Sequence, residues 1–127
     1  MPVRSLSSAV FRWPEREQAL AAARRWAGAL RARDAAVERV LCIGSAARGD
    51  WGVGSDLDLM VILSDTSLSA TQRYAKYYPE DLPVPADLWV YTRAEWQARC
   101  DDSPRLHRRL TDEAIELASV AQNGNTL

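Results

Sequence analysis

The chain has 127 residues, 47% of them hydrophobic and 26% charged, which suits one compact domain and excludes a disordered chain. A net charge of −1 gives no electrostatic footing for nucleic acid as the main partner. No apolar run approaches the ~20 residues of a membrane span, and Met1 to Leu6 lacks a signal-peptide core, so a cytoplasmic protein is expected.

Residues 1–12 read as an extended lead-in, 13–121 as the domain and 122–127 as a polar tail. Trp13-Pro14 announces a helix, because proline is tolerated in a first helical turn. Leu20, Ala23, Ala27 and Leu30 recur at helical spacing, which predicts an amphipathic helix from about Glu15 to Asp34. Val37 to Ile43 is nearly continuous in apolar character at its end, as a central strand covered on both faces would be. Gly44-Ser45 ends that strand, and Ser45 to Arg48 forms a short helical turn. Gly52 and Gly54 mark Asp50 to Ser55 as a loop, and Asp56 to Leu63 is a second strand.

A short helix is predicted over Thr71 to Tyr78, followed by a turn region at Pro79, Pro83 and Pro85. Val84 to Thr92 is a third strand, rich in residues that favour the pleated conformation. Arg93 to Cys100 reads as a helix. Ser103-Pro104 opens another, running to about Leu110. Ala114 to Val120 alternates, which predicts a fourth strand, with a continued helix as the alternative. The whole is an α/β (α+β) fold, a mixed sheet of about four strands with flanking helices.

The chemistry gathers in residues 44–61. Residues two apart in a strand point to one face, so Asp56 and Asp58 project together. Two adjacent carboxylates resist joint ionisation without a cation. Magnesium answers that need, since it takes one or two carboxylates together with substrate phosphates. Gly44-Ser45 leads from a strand into a helical turn, where glycine permits close backbone approach and free N–H groups face a phosphate. Arg48 has two available roles, contact with phosphate or a carboxylate pair that holds the loop. If the third strand pairs with the second, Asp87 stands beside Asp56 and Asp58. Three carboxylates then suffice for two metal ions, and Asp87 is also a proton acceptor for an attacking hydroxyl. Each of these features alone has a plainer reading as a turn or a solvated strand end. Their order within one strand-turn-loop-strand unit carries the inference.

That order resembles the signature of the DNA polymerase beta-like nucleotidyltransferases, Gly-Ser-x-x-Arg-Gly, five residues, then Ser-Asp-x-Asp-Leu-x-Val. Gly44, Ser45, Arg48, Gly49, Ser55, Asp56, Asp58, Leu59 and Val61 fill it without departure. The chain looks like the minimal nucleotidyltransferases of that group. The resemblance implies that Asp56, Asp58 and Asp87 bind two magnesium ions and act in catalysis. It implies that Gly44, Ser45, Arg48, Gly49 and Ser55 hold ATP, whose alpha phosphorus is attacked with release of pyrophosphate. Larger relatives add a helical domain that grips the acceptor, and none is expected after Val120. Small members often pair with a HEPN-family partner as antitoxin and toxin. The implied role is therefore an antitoxin that adenylylates its toxin. An antitoxin acting by occlusion, or a nucleotidyltransferase acting on a small molecule such as an aminoglycoside, are the alternatives.

The remaining residues say less. Cys42 and Cys100 lie far apart without ligand spacing, so neither zinc nor a disulfide is expected. Lys76, the only lysine, is the single candidate for any mechanism that needs a catalytic lysine. Trp13, Trp51, Trp96, Tyr77 and Tyr78 are candidates for apolar surface, with core packing the default. Trp51 is the exception, because its loop adjoins the motif and suits stacking on a base or contact with the acceptor. His107 and the arginines around it read as a solvated helix face.

Overall fold

The computed structural model of the protein describes residues 13–119; the expected lead-in 1–12 and tail 122–127 lie outside them. The first helix, α1 (Arg16–Arg33), buries Leu20, Ala23, Ala27 and Leu30 as their spacing predicts, and Ala19 with them. The Gln18 side chain accepts the Glu15 N–H at 2.8 Å and closes its start. The chain continues through β1 (Val37–Ile43), α2 (Gly44–Arg48), β2 (Leu57–Leu63), α3 (Ala70–Tyr77), β3 (Ala86–Thr92), α4 (Arg93–Asp102), α5 (Pro104–Glu113) and β4 (Ile115–Ser119).

The four strands form one sheet in the order β3-β2-β1-β4. Strand β1 runs antiparallel to both its neighbours, while β2 and β3 are parallel. The sheet is therefore mixed, as expected. The parallel pair is joined by a crossover that contains α3, which such a connection requires. Residues 115–119 form a strand and not a continued helix. Helix α5 runs three residues past the expected Leu110 and stops at Ala114, whose backbone is extended (φ −65°, ψ 142°). Strand β4 then pairs with β1, Cys42 opposite Ile115.

The two sheet faces are unequal. One carries Val40, Cys42, Leu57, Leu59, Val61 and Leu88 into the main core against α1. The other carries Leu41, Met60 and Ile62 into a smaller cluster with Tyr91, Trp96 and Leu110 from β3, α4 and α5. Tyr77, a surface candidate from sequence, is 2% exposed, and its hydroxyl donates to Asp34 at 2.7 Å. The buried Cys42 thiol is pushed up to about 11, by burial first and by Asp58 second, so it packs as a small hydrophobe. Both cysteines are free. No helix among the described residues is long and apolar enough to cross a membrane.

One ion pair fixes the edge strand β3. Arg73 on α3 donates to both carboxylate oxygens of Glu95 on α4, at 2.6 and 3.1 Å, and reaches the Val90 carbonyl of β3 at 3.4 Å. Glu95 also accepts the Thr92 N–H at 2.9 Å, while the Thr92 hydroxyl accepts the Glu95 N–H at 3.1 Å. These partners, Arg73 foremost, hold the Glu95 carboxyl down at about 2. A depressed carboxyl adds stability above its unfolded value near 4.5 and loses it as pH falls toward 2. Glu95→Gln keeps a capping side chain and removes the charge. Because the pair is partly exposed, the loss at pH 7 should be no more than about 1 kcal/mol. Thermal melting of both forms should show that difference fade between pH 4.5 and 2.

Candidate active site

The site forms where β1 ends and β2 and β3 begin. In the antiparallel pair, Ile43 lies opposite Asp58. The chain then turns at Gly44 with φ +74°, a conformation that L side chains avoid. A Cβ at this position would sit 2.0 Å from Oδ2 of Asp58. Only glycine lets the turn and the carboxylate share this space. Helix α2 follows for a single turn and ends at Gly49, in the left-handed conformation, whose N–H donates to Ser45 at 3.0 Å.

On the other side of β2, the parallel register sets Asp58 directly opposite Asp87. Neighbouring strands are about 4.8 Å apart, so the two carboxylates lie within reach of one small cation. Asp56 sits one residue before β2 and is exposed, as is Asp87, while Asp58 is half-buried. The Asp58 carboxyl is raised above its ordinary value, by burial first, then by the charges of Asp87 and Asp56. Like charges held together in this way are the electrostatic demand for a cation that the motif anticipates.

No three His, Cys, Asp or Glu side chains among the described residues converge as a ready-made metal cage. The donor set still fits magnesium, which keeps several water ligands and is commonly held by one or two carboxylates plus substrate phosphates. On that chemistry, the nucleotide itself supplies the missing oxygens.

The motif's other residues have structural tasks. Ser55 closes its loop, its hydroxyl accepting the Gly52 N–H at 3.0 Å. Of Arg48's two expected roles, the structure contains the carboxylate pair: Nε lies 3.2 Å from Asp50 and Nη1 lies 3.6 Å from Glu113 at the end of α5. Trp51 is not the free ring expected beside the site. It is half-buried against the main core, and its indole N–H donates to the Pro14 carbonyl at 3.0 Å. Arg16 ties the same end of α1 to α2, its Nε donating to the Ala46 carbonyl at 2.6 Å.

One residue near the site escaped the sequence reading. Glu113 meets Arg48 from 65 positions away, and nothing local in Thr-Asp-Glu signals that contact. Trp89 is 40% exposed on the face of β3 that also carries Asp87. That shared face is the one the strand period predicts for Asp87, Trp89 and Tyr91.

A mixed four-stranded sheet that brings a glycine turn against paired aspartates defines a nucleotidyltransferase-like fold. The described fold is similar to the crystal structure of a nucleotidyltransferase candidate from Sulfolobus solfataricus, with a TM-score of 0.53 and 20% identity. That similarity covers 65% of this chain and 75% of the other. No protein of curated function matches the sequence. The nucleotidyltransferase domain family matches residues 23–117, so the chain belongs to that family.

Gly44→Ala should be costly. The positive φ alone is worth about 1–2 kcal/mol, and the new methyl must displace Asp58. Lower melting temperature and loss of magnesium-ATP binding by calorimetric titration are expected together. Gly28→Ala is the control. It sits in the middle of α1 with nothing within 4 Å of the added carbon, and it should stabilise the fold by up to about 1 kcal/mol.

Proposed function

We propose that the protein is a magnesium-dependent nucleotidyltransferase that moves AMP from ATP to a hydroxyl on a protein acceptor. The observation that carries this reading is the register of Asp58 against Asp87, with Gly44 packed on the Asp58 carboxylate. Asp56, Asp58 and Asp87 are the residues that would hold two magnesium ions. When bound, the metal would neutralise the crowded carboxylates and draw charge from the triphosphate.

The chain's own residues do the rest. The backbone N–H groups of Gly44 and Ser45 and the Ser45 hydroxyl hold the outer phosphates at the start of α2. Arg48 and Gly49, with Ser55 in the following loop, keep that cradle in shape. Asp87 stands at the open edge strand and takes the proton of the acceptor hydroxyl. The acceptor oxygen bonds to the alpha phosphorus, the bond from that phosphorus to the bridging oxygen breaks, and pyrophosphate leaves.

A macromolecular acceptor suits the surroundings. Asp56, Asp87 and Trp89 are all exposed, and Val53 in the adjacent loop is 86% exposed. Together they make an open, partly apolar approach to the carboxylates. The partner that the sequence resemblance implies is a HEPN-family toxin, with this chain as its antitoxin.

Incubation with the product of the neighbouring gene and alpha-labelled ATP should label that partner. Asp58→Asn should lower the labelling rate by about a hundredfold to a thousandfold, by analogy with the loss of one preorganised charge-stabilising group. It should melt no lower than wild type, because it removes a charge that burial disfavours. Full neutralisation of the partner by an Asp56→Asn, Asp58→Asn double variant, with no label transferred by wild type, would instead establish occlusion.

A further inference from the structure

A cleft of about 260 Å³ lies beneath α5, on the sheet face that carries the carboxylates. Its floor is Leu41, Ile43 and Met60, and Trp96 of α4 forms one wall. The cleft and the site share a boundary. Ile43 is the register partner of Asp58, and Met60 follows Asp58 by two residues on the same face. Two residues along a strand span about 7 Å, the scale of one sugar ring.

Size and chemistry limit the occupant. The volume is below the roughly 300–1,000 Å³ of sites that enclose a drug-sized ligand, so it suits one ring system and not a whole nucleotide. The floor and the tryptophan favour a flat apolar surface. Thr111 and His107 on α5 supply hydrogen-bonding groups at the rim, and the Arg39–Glu116 ion pair, 2.7 Å across, closes the far end. Helix α5 fully buries none of its ten residues, and its Leu110, packed against Leu41 and Met60, lines the cleft without closing it. Its C-terminal end is tied toward the site by Glu113 and Arg48.

We propose that this cleft is the nucleobase pocket for the donor nucleotide. A purine lies on the Leu41–Met60 floor beside Trp96, with its polar edge toward Thr111 and His107. Its ribose crosses Ile43 to the phosphates at Gly44 and Asp58. This rests on the reading of the carboxylates as a metal-triphosphate site.

Two ligands separate the claims. Magnesium-ATP carries a base, and magnesium-tripolyphosphate carries none. Ala114→Leu fills the cleft from the α5–β4 junction, and Thr111→Val removes one hydroxyl from its rim. Calorimetric titration should show ATP affinity falling about tenfold or more in Ala114→Leu, the loss of roughly 1.4 kcal/mol of base contact. Thr111→Val should weaken ATP by about fivefold, the usual scale for one lost hydrogen bond. Tripolyphosphate affinity should change less than about twofold in both, which is within about 0.4 kcal/mol. If ATP binds both variants as tightly as wild type, or if both ligands weaken equally, the base lies elsewhere and the proposed function stands. If Ala114→Leu does not melt cooperatively, the Thr111→Val result alone decides. If wild type binds neither ligand, this proposal and the reading beneath it both fail.

Discussion

The approach of Gly44 to Asp58 is the constraint on which the rest of the site depends. Antiparallel pairing of β1 with β2 sets Ile43 against Asp58, and the next residue must turn immediately. The turn occupies the space where a side chain would meet the carboxylate, at 2.0 Å for even the first carbon. One contact thereby fixes the distance between the proposed phosphate cradle and the proposed metal ligands. Neither can shift along its strand without the other, because a one-residue slip would turn every side chain of β2 to the opposite face.

Strand β2 serves both faces of the sheet. Leu57, Leu59 and Val61 enter the main core against α1, while Asp58, Met60 and Ile62 alternate with them on the other side. The well-packed face anchors the strand, and the opposite face carries the charges. Raising the Asp58 carboxyl by burial and by its neighbours costs stability at neutral pH. The main core offsets that cost. A buried Leu or Val contributes about 1.5–3 kcal/mol, and three of them sit on this one strand. The anchoring extends outward through the hydrogen bonds of Arg16 to α2, of Trp51 to Pro14 and of Arg73 to the edge strand.

Much of this was legible in the sequence because the signals were local. The alanines and leucines of α1 follow the helical period, and Val40 to Ile43 form an unbroken apolar run. The spacing of Asp56 and Asp58 needs only the strand period. The fourth strand was harder, since Ile115 to Ser119 is short and its alternation competes with helix preference. Pairing with β1 decides it, and that pairing is a tertiary fact. Trp51 was misjudged because its neighbours in sequence belong to the motif, while its partner Pro14 is 37 residues away. Tyr77 follows the default of core packing, although its partner Asp34, which lies across the fold, has no local signal. The Arg48–Glu113 contact and the cleft beneath α5 have no local signature at all. They exist only where α5 returns along the sheet toward the motif.

That return has a further consequence. The residues of β1 and β2 are held on both faces and leave little freedom for substitution. Helix α5 fully buries no side chain and packs Leu110 into the smaller cluster, so few of its ten positions are fixed by packing. Sequence drift along it is inexpensive, provided that Glu113 keeps its hold on Arg48. The domain therefore separates an inherited half from an adaptable one. Descendants of this fold can retune what lies under one helix while the strands that carry the carboxylates stay unchanged.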